Sequence, residues 1–174
     1  MGWRFLTERE TAPTACYDPP PVFLLLSLAL ACAADQIEEE DCFAEEPVAR
    51  IGGGAVDFEE LAAGDTIDMV TGSQGGEHIY GSLRLWNTDE IVVIHYTIAR
   101  DDDGSLISDQ TYRVAMVEDE ACGHVYAGMY GYLGFTSDYT VALQGVQVTL
   151  RIDATDSEGR AASDEVAVLI GTDG

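Results

Sequence analysis

The chain has 174 residues, 47% of them hydrophobic, and sets eight arginines and no lysine against 32 acidic residues, for a formal net charge of −24. A surface of this sign repels nucleic acids and anionic lipid headgroups, because proteins bind both through basic patches. We therefore exclude DNA and RNA as partners.

An uncharged apolar run of thirteen residues extends from Val22 to Ala34. It is shorter than the roughly 20 residues needed to cross a bilayer, and it has the length of the apolar region of a secretory signal. The residues before it are atypical of a signal peptide, because Arg4 and Arg9 are outnumbered by three acidic residues, Glu8, Glu10 and Asp18. We predict that residues 1–31 are a signal peptide or leader.

The end of this run, Ala29-Leu30-Ala31-Cys32, fits two processing events. Cleavage at an A-x-A site would release a soluble protein that starts at Cys32. The same residues resemble the lipobox of bacterial lipoproteins, in which the cysteine is lipidated and becomes the new N-terminus. The usual lipobox leucine is displaced by one position, to Leu28. We expect lipidation of Cys32. Because Ala33 rather than Asp follows it, we also expect sorting to the outer membrane if the host is Gram-negative.

The cysteine count agrees with a lipid on Cys32. Cys16 leaves with the leader, and a lipidated Cys32 leaves Cys42 and Cys122 as one pair. Soluble release would instead leave an odd number of cysteines in an oxidising compartment. We predict a disulfide between Cys42 and Cys122, with two unpaired thiols as the alternative.

The segment after the leader is acidic and poor in large apolar residues, which is typical of a solvated, extended tether. We predict a linker over residues 32–54, with a flexible junction at Ile51–Gly54, and a folded domain over residues 55–174.

Beyond residue 55, hydrophobic side chains alternate with polar ones in short segments separated by turns. Clear examples start at Ile79, at Ile91 and at Val146. We predict an all-β fold, a seven- to eight-stranded antiparallel immunoglobulin-like β-sandwich. A barrel is the alternative. The final hairpin, from Val146 through Arg160, resembles the last two strands of an immunoglobulin-like domain.

Taken whole, the arrangement resembles bacterial lipoproteins of the kind abundant in myxobacteria. Those proteins combine an acidic tether with one sandwich domain that carries a Gly-x-Gln-Gly-Gly-x-His loop, which residues 72–78 match. The resemblance implies an envelope location and the fold, and implies no catalytic activity.

The loop at residues 72–78 lacks the Gly-Lys-Ser/Thr ending of a phosphate-binding loop, and a strand rather than a helix follows it. We interpret it as a tight turn and a candidate binding loop, because loops on rigid sandwiches commonly carry binding. Its candidate residues are Gln74, Gly75, Gly76 and His78.

Metal sites have weaker support in the sequence. His78 and His124 would need to meet near Glu77 or Glu120 to hold zinc, with Cys122 as a further ligand only if it is not in a disulfide. His95 is expected to face solvent. The turn at 101–104 is rich in aspartate but lacks two of the calcium ligands of an EF-hand.

Aromatic residues on strands most often pack in the core or across strands, but one set could instead form a binding platform, in which Trp86 joins a glycine-interleaved group. Its other members are Tyr126, Tyr130, Tyr132 and Phe135.

No arrangement of nucleophile and base matches a catalytic motif, and we expect no enzymatic activity and no cofactor. We therefore predict a non-catalytic, membrane-anchored envelope lipoprotein that has a binding or structural role. It would contact the membrane through its lipid and a protein or glycan through its domain. The alternative is a secreted, soluble, calcium- or metal-dependent binding module; a small envelope enzyme is the weakest reading.

Overall fold

The alternating pattern forms paired strands throughout the part of the chain that the structure describes. The computed structural model describes residues 42–134 and 142–171. The predictions for the leader, for Cys32, for the acidic segment up to residue 41 and for Phe135 lie outside these residues. No helix in the described ranges is long and apolar enough to cross a bilayer.

Eleven strands are present in the described ranges. They are β1 (Val48–Gly53), β2 (Glu59–Glu60), β3 (Thr66–Ile67), β4 (Val70–Thr71), β5 (Glu77–Trp86), β6 (Ile91–Arg100), β7 (Leu106–Ala115), β8 (Val117–Glu120), β9 (Gly123–Gly134), β10 (Gln147–Asp156) and β11 (Ala161–Ile170).

The strands make two sheets. One sheet has the order β2-β1-β5-β9-β8, with β4 also paired to β5, and the other has the order β3-β11-β10-β6-β7. All pairs are antiparallel except the short pairing of β3 with β11. Eight of the strands are four residues or longer, which confirms the predicted all-β, immunoglobulin-like sandwich of seven to eight strands.

The core lies between the two sheets because each long strand presents every second side chain to it. In β6 the inward set is Val92, Ile94, Tyr96 and Ile98, all at most 1% exposed. The predicted final hairpin is also present, with β10 paired to β6 on one side and to β11 on the other along nine residue pairs each.

Two glycines of the first sheet make room for the largest core side chain. A Cβ on Gly81 would lie 2.8 Å from the Tyr96 ring, and one on Gly131 would lie 3.2 Å from it. Side chains at these positions would therefore force the sheets apart. Tyr96 is fully buried, and its hydroxyl has no hydrogen-bond partner among the described residues. Burial raises the pKa of this hydroxyl, which keeps it neutral.

The ordered sheet begins earlier than the predicted boundary at residue 55. β1 pairs with β5 from Val48 to Gly53, and its Ala49 and Ile51 side chains are buried. The second half of the predicted linker is therefore a strand of the domain, and the junction predicted as flexible at Ile51–Gly54 lies largely within it. The sequence did not indicate this strand because it contains two glycines and only two large apolar side chains.

Candidate functional site

The long strands run between two ends of the sandwich. One end, which we call the disulfide pole, holds Cys42, Cys122 and the turn after β10. The other, which we call the loop pole, holds the loop between β4 and β5 and the turn after β6. A strand of ten residues spans roughly 30 Å, which sets the distance between the poles.

The disulfide pole is cross-linked by the predicted disulfide. Cys42 and Cys122 are joined, with an S–S distance of 2.03 Å, across 80 residues of sequence. Beside them the Asn87 backbone N–H donates to the Cys122 carbonyl at 3.0 Å, and the Asn87 side-chain amide donates to the Glu46 carbonyl at 3.0 Å. The first described residues are thus fixed to the turn between β5 and β6.

A buried ion pair completes the disulfide pole. The Asp156 carboxylate, whose side chain is fully buried, lies 2.6 Å from Arg160 Nη2 and accepts hydrogen bonds from the backbone N–H groups of Asp89, Glu158 and Arg160. The Arg160 guanidinium also lies 3.9 Å from the centre of the Phe43 ring. Hydrogen bonds to a carboxylate offset the cost of burying it.

At the loop pole, the candidate binding loop is the turn of a short hairpin. β4 pairs with β5 through Val70–His78 and Thr71–Glu77. Between them the Gly72 N–H donates to the Gly76 carbonyl at 2.7 Å, and the Gly75 N–H donates to the Gly72 carbonyl at 2.9 Å. Gly75 has a φ of +80°, a conformation that glycine adopts without a steric penalty.

The hairpin places His78 among three tyrosines on the outer face of the sheet. His78 lies opposite Tyr132, and Tyr80 lies opposite Tyr130, because β5 and β9 are paired in antiparallel register. The His78 ring stacks on the Tyr130 ring with centroids 4.0 Å apart and meets the Tyr80 ring edge to face at 4.7 Å. The Tyr130 and Tyr132 rings are nearly parallel, with centroids 6.4 Å apart.

His78 is buried without hydrogen-bond partners. Only 2% of it is exposed, and neither ring nitrogen has a hydrogen-bond partner among the described residues. Burial lowers the pKa of His78 below its usual value of 6.5, against smaller opposing effects of the Gly76 backbone and the Glu77 charge. The imidazole is therefore neutral at pH 7.

These side chains line a pocket of about 400 Å³. Its wall on the loop side is formed by Gly72, Ser73, Gln74 and Gly76, and its wall on the sheet side by His78, Tyr80, Tyr130 and Tyr132. This is within the size range of sites for small ligands, which combine apolar walls with a few polar groups.

A tyrosine of the second sheet supports the pocket from behind. The Tyr112 hydroxyl, on the edge strand β7, donates to the Tyr130 carbonyl at 2.7 Å and accepts from the Tyr130 N–H at 2.7 Å. One hydroxyl thus satisfies both backbone groups of Tyr130 at the open edge of β9. This contact fixes the strand that carries two of the pocket rings.

The predicted aromatic platform is divided by the structure. Tyr130 and Tyr132 lie in the pocket, but Tyr126 packs against the core, because an irregularity in β9 between Met129 and Tyr126 reverses which side chains face inward. Trp86 lies at the disulfide pole, where its indole N–H donates to Glu120 at 2.8 Å. The prediction of one continuous surface with Trp86 and Tyr126 was therefore wrong.

The structure also separates the histidines considered for a zinc site. His78 lies opposite Tyr132 and His124 lies opposite Leu85, seven residues further along the same strand pair and roughly 20 Å away. Cys122 is in the disulfide. Among the described residues, no group of three or more His, Cys, Asp or Glu side chains converges as a metal site.

His95 and the aspartate-rich turn have local partners. His95 is on the outer face and lies 2.7 Å from Asp109. Asp101 accepts from Gln147 at 2.7 Å and from Thr149 at 2.6 Å, and Asp102 binds Arg100 through two hydrogen bonds. The carboxylates considered for calcium are thus engaged by protein donors.

Two site residues were missed from the sequence. Tyr80 was given no role, although it lies two residues from His78 and therefore on the same face of the strand. Tyr112 carried no local signal, because its contact with Tyr130 crosses from one sheet to the other.

A second depression, of about 550 Å³, lies at the disulfide pole beside Arg50 and Trp86. It is larger than the pocket at the loop pole. Its half-buried polar groups are already paired, since Trp86 donates to Glu120 and Asn87 donates to Glu46. We therefore regard the loop-pole pocket as the candidate site.

No protein-family model and no curated protein matches the sequence. Among solved structures, a bacterial adhesin from Mobiluncus mulieris is 11% identical with a TM-score of 0.44, and the match covers 71% of this chain and 57% of that one. The CooA pilin subunit from enterotoxigenic Escherichia coli is 10% identical with a TM-score of 0.34, over 72% of this chain and 99% of that one.

A β-glucuronidase from Bacteroides uniformis also matches, at 10% identity and a TM-score of 0.41 over 59% of this chain. This match spans only 12% of the glucuronidase. Similarity at these TM-scores carries no information about activity. The domain is thus defined as an all-β sandwich with a pocket at one pole, and the resemblance to myxobacterial lipoproteins remains a prediction.

Proposed function

We propose that this protein is a non-catalytic lipoprotein of a bacterial cell envelope, sorted to the outer membrane and anchored by a lipid on Cys32. Its sandwich domain binds a protein or glycan partner through the loop-pole pocket. The observation that carries the proposal is His78, a buried imidazole with two unpaired nitrogens in the wall of a pocket.

The cost of leaving His78 unpaired supports a binding role. A buried donor or acceptor without a partner costs about 1–3 kcal/mol. Other unpaired atoms of the described residues include the Tyr96 hydroxyl, which lies in the core, whereas His78 lies in the wall of a pocket. A ligand that reached either nitrogen, both of which are closed to solvent in this structure, would recover part of this cost. Strain and unpaired groups of this kind are typical of sites where function opposes stability.

The position of the pocket fits a tether at the opposite pole. The described chain begins at Cys42, which the disulfide fixes to the disulfide pole, and the pocket lies at the far end of the ten-residue strands. A domain attached at one pole presents the other to its surroundings. The pocket is therefore in a favourable place for contact with a partner.

The lining of the pocket favours binding over catalysis. His78 has no carboxylate partner among the described residues to orient it as a base. Triads and related sites require a nucleophile, a base and a group that orients the base. Removal of a pocket ring should therefore weaken ligand binding, and we expect no enzymatic reaction of the ligand in the wild-type pocket.

Binding would be tested with the full chain against purified envelope glycans and envelope proteins by biolayer interferometry. We expect Gln74→Ala and Tyr80→Leu to weaken any specific binding at least tenfold. Val93→Thr, on the outer face of the other sheet, is the matched control and should leave the affinity unchanged. Equal affinities for the wild type and the three variants would overturn the assignment of the pocket.

Anchoring would be tested by the intact mass of the protein from a membrane fraction. We expect a mature N-terminus at Cys32 with a diacylglycerol and an acyl increment, and transfer of a Cys32→Ser variant to the soluble fraction or to the uncleaved form. An unmodified Cys32 terminus in the soluble fraction would refute the anchor and leave a secreted binding protein.

A further inference from the structure

We propose that the loop-pole pocket binds an organic cation, an ammonium group that is methylated or carried on a short alkyl chain. The inference rests on the proposed binding function of this pocket and names the class of ligand. It is carried by the arrangement of aromatic rings together with the charge of the chain.

The rings present faces in two directions. The Tyr80 ring is nearly perpendicular to that of Tyr130, at 76° with centroids 6.1 Å apart, and the Tyr132 ring is nearly parallel to it, at 13°. His78 packs against both the Tyr80 and the Tyr130 ring, so these rings form an aromatic wall of the pocket and not an open cage. Proteins bind quaternary ammonium groups against aromatic rings. The negative face of each ring attracts the cation within about 6 Å of its centre.

The charge of the chain favours a cation over an anion. The net charge is −24, and no arginine is among the described residues that line the pocket. Arg100, at the same pole in the other sheet, is paired with Asp102 and lies 4.0 Å from Asp103. A strongly negative molecule raises the local concentration of cations and repels anions.

The titratable groups of the pocket do not oppose a cation. Burial lowers the pKa of His78, so the ring that stacks on Tyr130 is neutral and adds no positive charge. Desolvation raises the pKa of Tyr132, so its phenol stays protonated.

A neutral sugar fits the lining less well. A sugar ring carries several hydroxyls, and each one that is buried without a partner costs free energy. The described lining consists mainly of ring faces and glycine backbone, with Ser73 and Gln74 as its polar residues other than the tyrosines and His78. A methylated ammonium group has no hydroxyl to satisfy, and its methyl groups pack on the rings.

The decisive measurement is isothermal titration of the full chain, held in a nonionic detergent, with choline and with 3,3-dimethylbutan-1-ol. The two probes have nearly the same shape and differ by the positive charge. We expect choline to bind at least tenfold more tightly, and its affinity to fall several-fold between low and high salt because salt screens the attraction.

Two variants test the rings. Tyr80→Leu removes a ring and should weaken choline binding at least fivefold, whereas Tyr80→Phe keeps the ring and should leave it within twofold. Circular dichroism and the thermal unfolding temperature establish that both variants fold. Vesicles of phosphatidylcholine and of phosphatidylglycerol test whether the ammonium group belongs to a lipid headgroup or to a free small molecule. Binding to phosphatidylcholine vesicles alone would support recognition of a methylated ammonium group on a lipid.

Equal affinity for choline and its neutral analogue would overturn the cation inference and leave an apolar pocket that still binds. The inference would also be overturned if neither probe bound while Gln74→Ala and Tyr80→Leu weakened binding of another envelope component; the proposed function would then stand. If no probe and no envelope component depended on these side chains, both would fail.

Discussion

Each pole of the sandwich buries an ionisable side chain, and the two side chains differ in their hydrogen bonds, although Thr88 Oγ1 and His124 Nδ1 at the disulfide pole are also buried without a partner among the described residues. At the disulfide pole, the Asp156 carboxylate has an ion pair and three backbone hydrogen bonds, and Asn87 is bonded on both its backbone and its side chain. At the loop pole, His78 is equally hidden from solvent and has no hydrogen bond to any described residue.

This contrast separates the part of the molecule that is built for stability from the part that is built for contact. Fully paired buried groups rigidify a structure, whereas unpaired ones reduce its stability. We therefore expect substitutions at the disulfide pole to lower the free energy of unfolding with no effect on ligand binding. Substitutions of pocket side chains should weaken ligand binding without lowering the free energy of unfolding.

The largest effect is expected from the disulfide. The double variant Cys42→Ser/Cys122→Ser removes a cross-link between residues 80 apart, which by loop-closure entropy lowers the free energy of unfolding by about 4 kcal/mol. Guanidinium denaturation of the full chain measures it. Reduced wild-type protein is the control and should show the same loss. A change below about 1 kcal/mol would contradict the stabilising role of the bridge.

Asp156→Asn should be the next most damaging change. It leaves Arg160 without its buried partner, which we expect to cost about 3 kcal/mol. Asp153→Asn is the matched control, since Asp153 also pairs with an arginine but is 45% exposed, and its loss should cost less than about 1 kcal/mol. Similar losses for the two variants would show that burial of the pair is not what matters.

The same carboxylate predicts a loss of stability in acid. Burial alone would raise the pKa of Asp156, but the N–H groups of Asp89 and Arg160 and the Arg160 guanidinium outweigh it, so that the pKa is lowered. The contribution is present above the unfolded value of about 3.9 and is lost as the pH falls through the folded value. Asp156→Asn should therefore flatten the stability profile below pH 4, and an unchanged profile would contradict this origin.

Tyr112→Phe tests the support behind the pocket. It leaves the N–H and carbonyl of Tyr130 without their partner, at a cost of about 2 kcal/mol. Because Tyr130 carries a pocket ring, ligand affinity should also fall, which is an effect not expected from the disulfide pole. Tyr126→Phe is the control, because its hydroxyl makes no such bond to the described residues, and it should change neither quantity.

The sequence predicted the sandwich because strand formation depends on an alternation that is local. Val92 to Ile98 and Val148 to Ile152 show it without interruption, and these strands form the centre of the second sheet. The same local information failed at β1, where alternation is masked by glycine and acidic neighbours. A strand that is stabilised by its partners more than by its own side chains is poorly visible in sequence.

The candidate site was predicted in part for a related reason. The glycine-rich turn marked the loop and His78, because turn chemistry is local. The joining of Tyr130 and Tyr132 with Tyr80 depends on the register of β5 against β9, and the exclusion of Tyr126 depends on an irregularity inside β9. The spacing of residues within one strand does not reveal how that strand pairs with its neighbour or where the pairing is irregular. The aromatic platform considered from the sequence therefore combined residues from both poles.

The smallest expected effect has the opposite sign. His78→Phe keeps a ring to stack on Tyr130 and removes two unpaired nitrogens, and we expect the free energy of unfolding to rise by about 1 kcal/mol. Burial lowers the pKa of His78, so the unfolded chain binds a proton that the folded chain does not. The stability that depends on a neutral His78 is present above about pH 6.5 and is lost as the pH falls through the pKa of His78 in the folded protein.

The difference in stability between His78→Phe and the wild type should therefore grow in favour of the variant below pH 6.5, as measured by urea denaturation across pH 4 to 8. The comparison cancels the other histidines, since both proteins contain His95 and His124. If the variant is less stable than the wild type at every pH, then the unpaired imidazole is not a cost to the fold. In that case the unpaired imidazole no longer distinguishes the loop pole from the disulfide pole, and the main reason to place a binding function at the loop pole is lost.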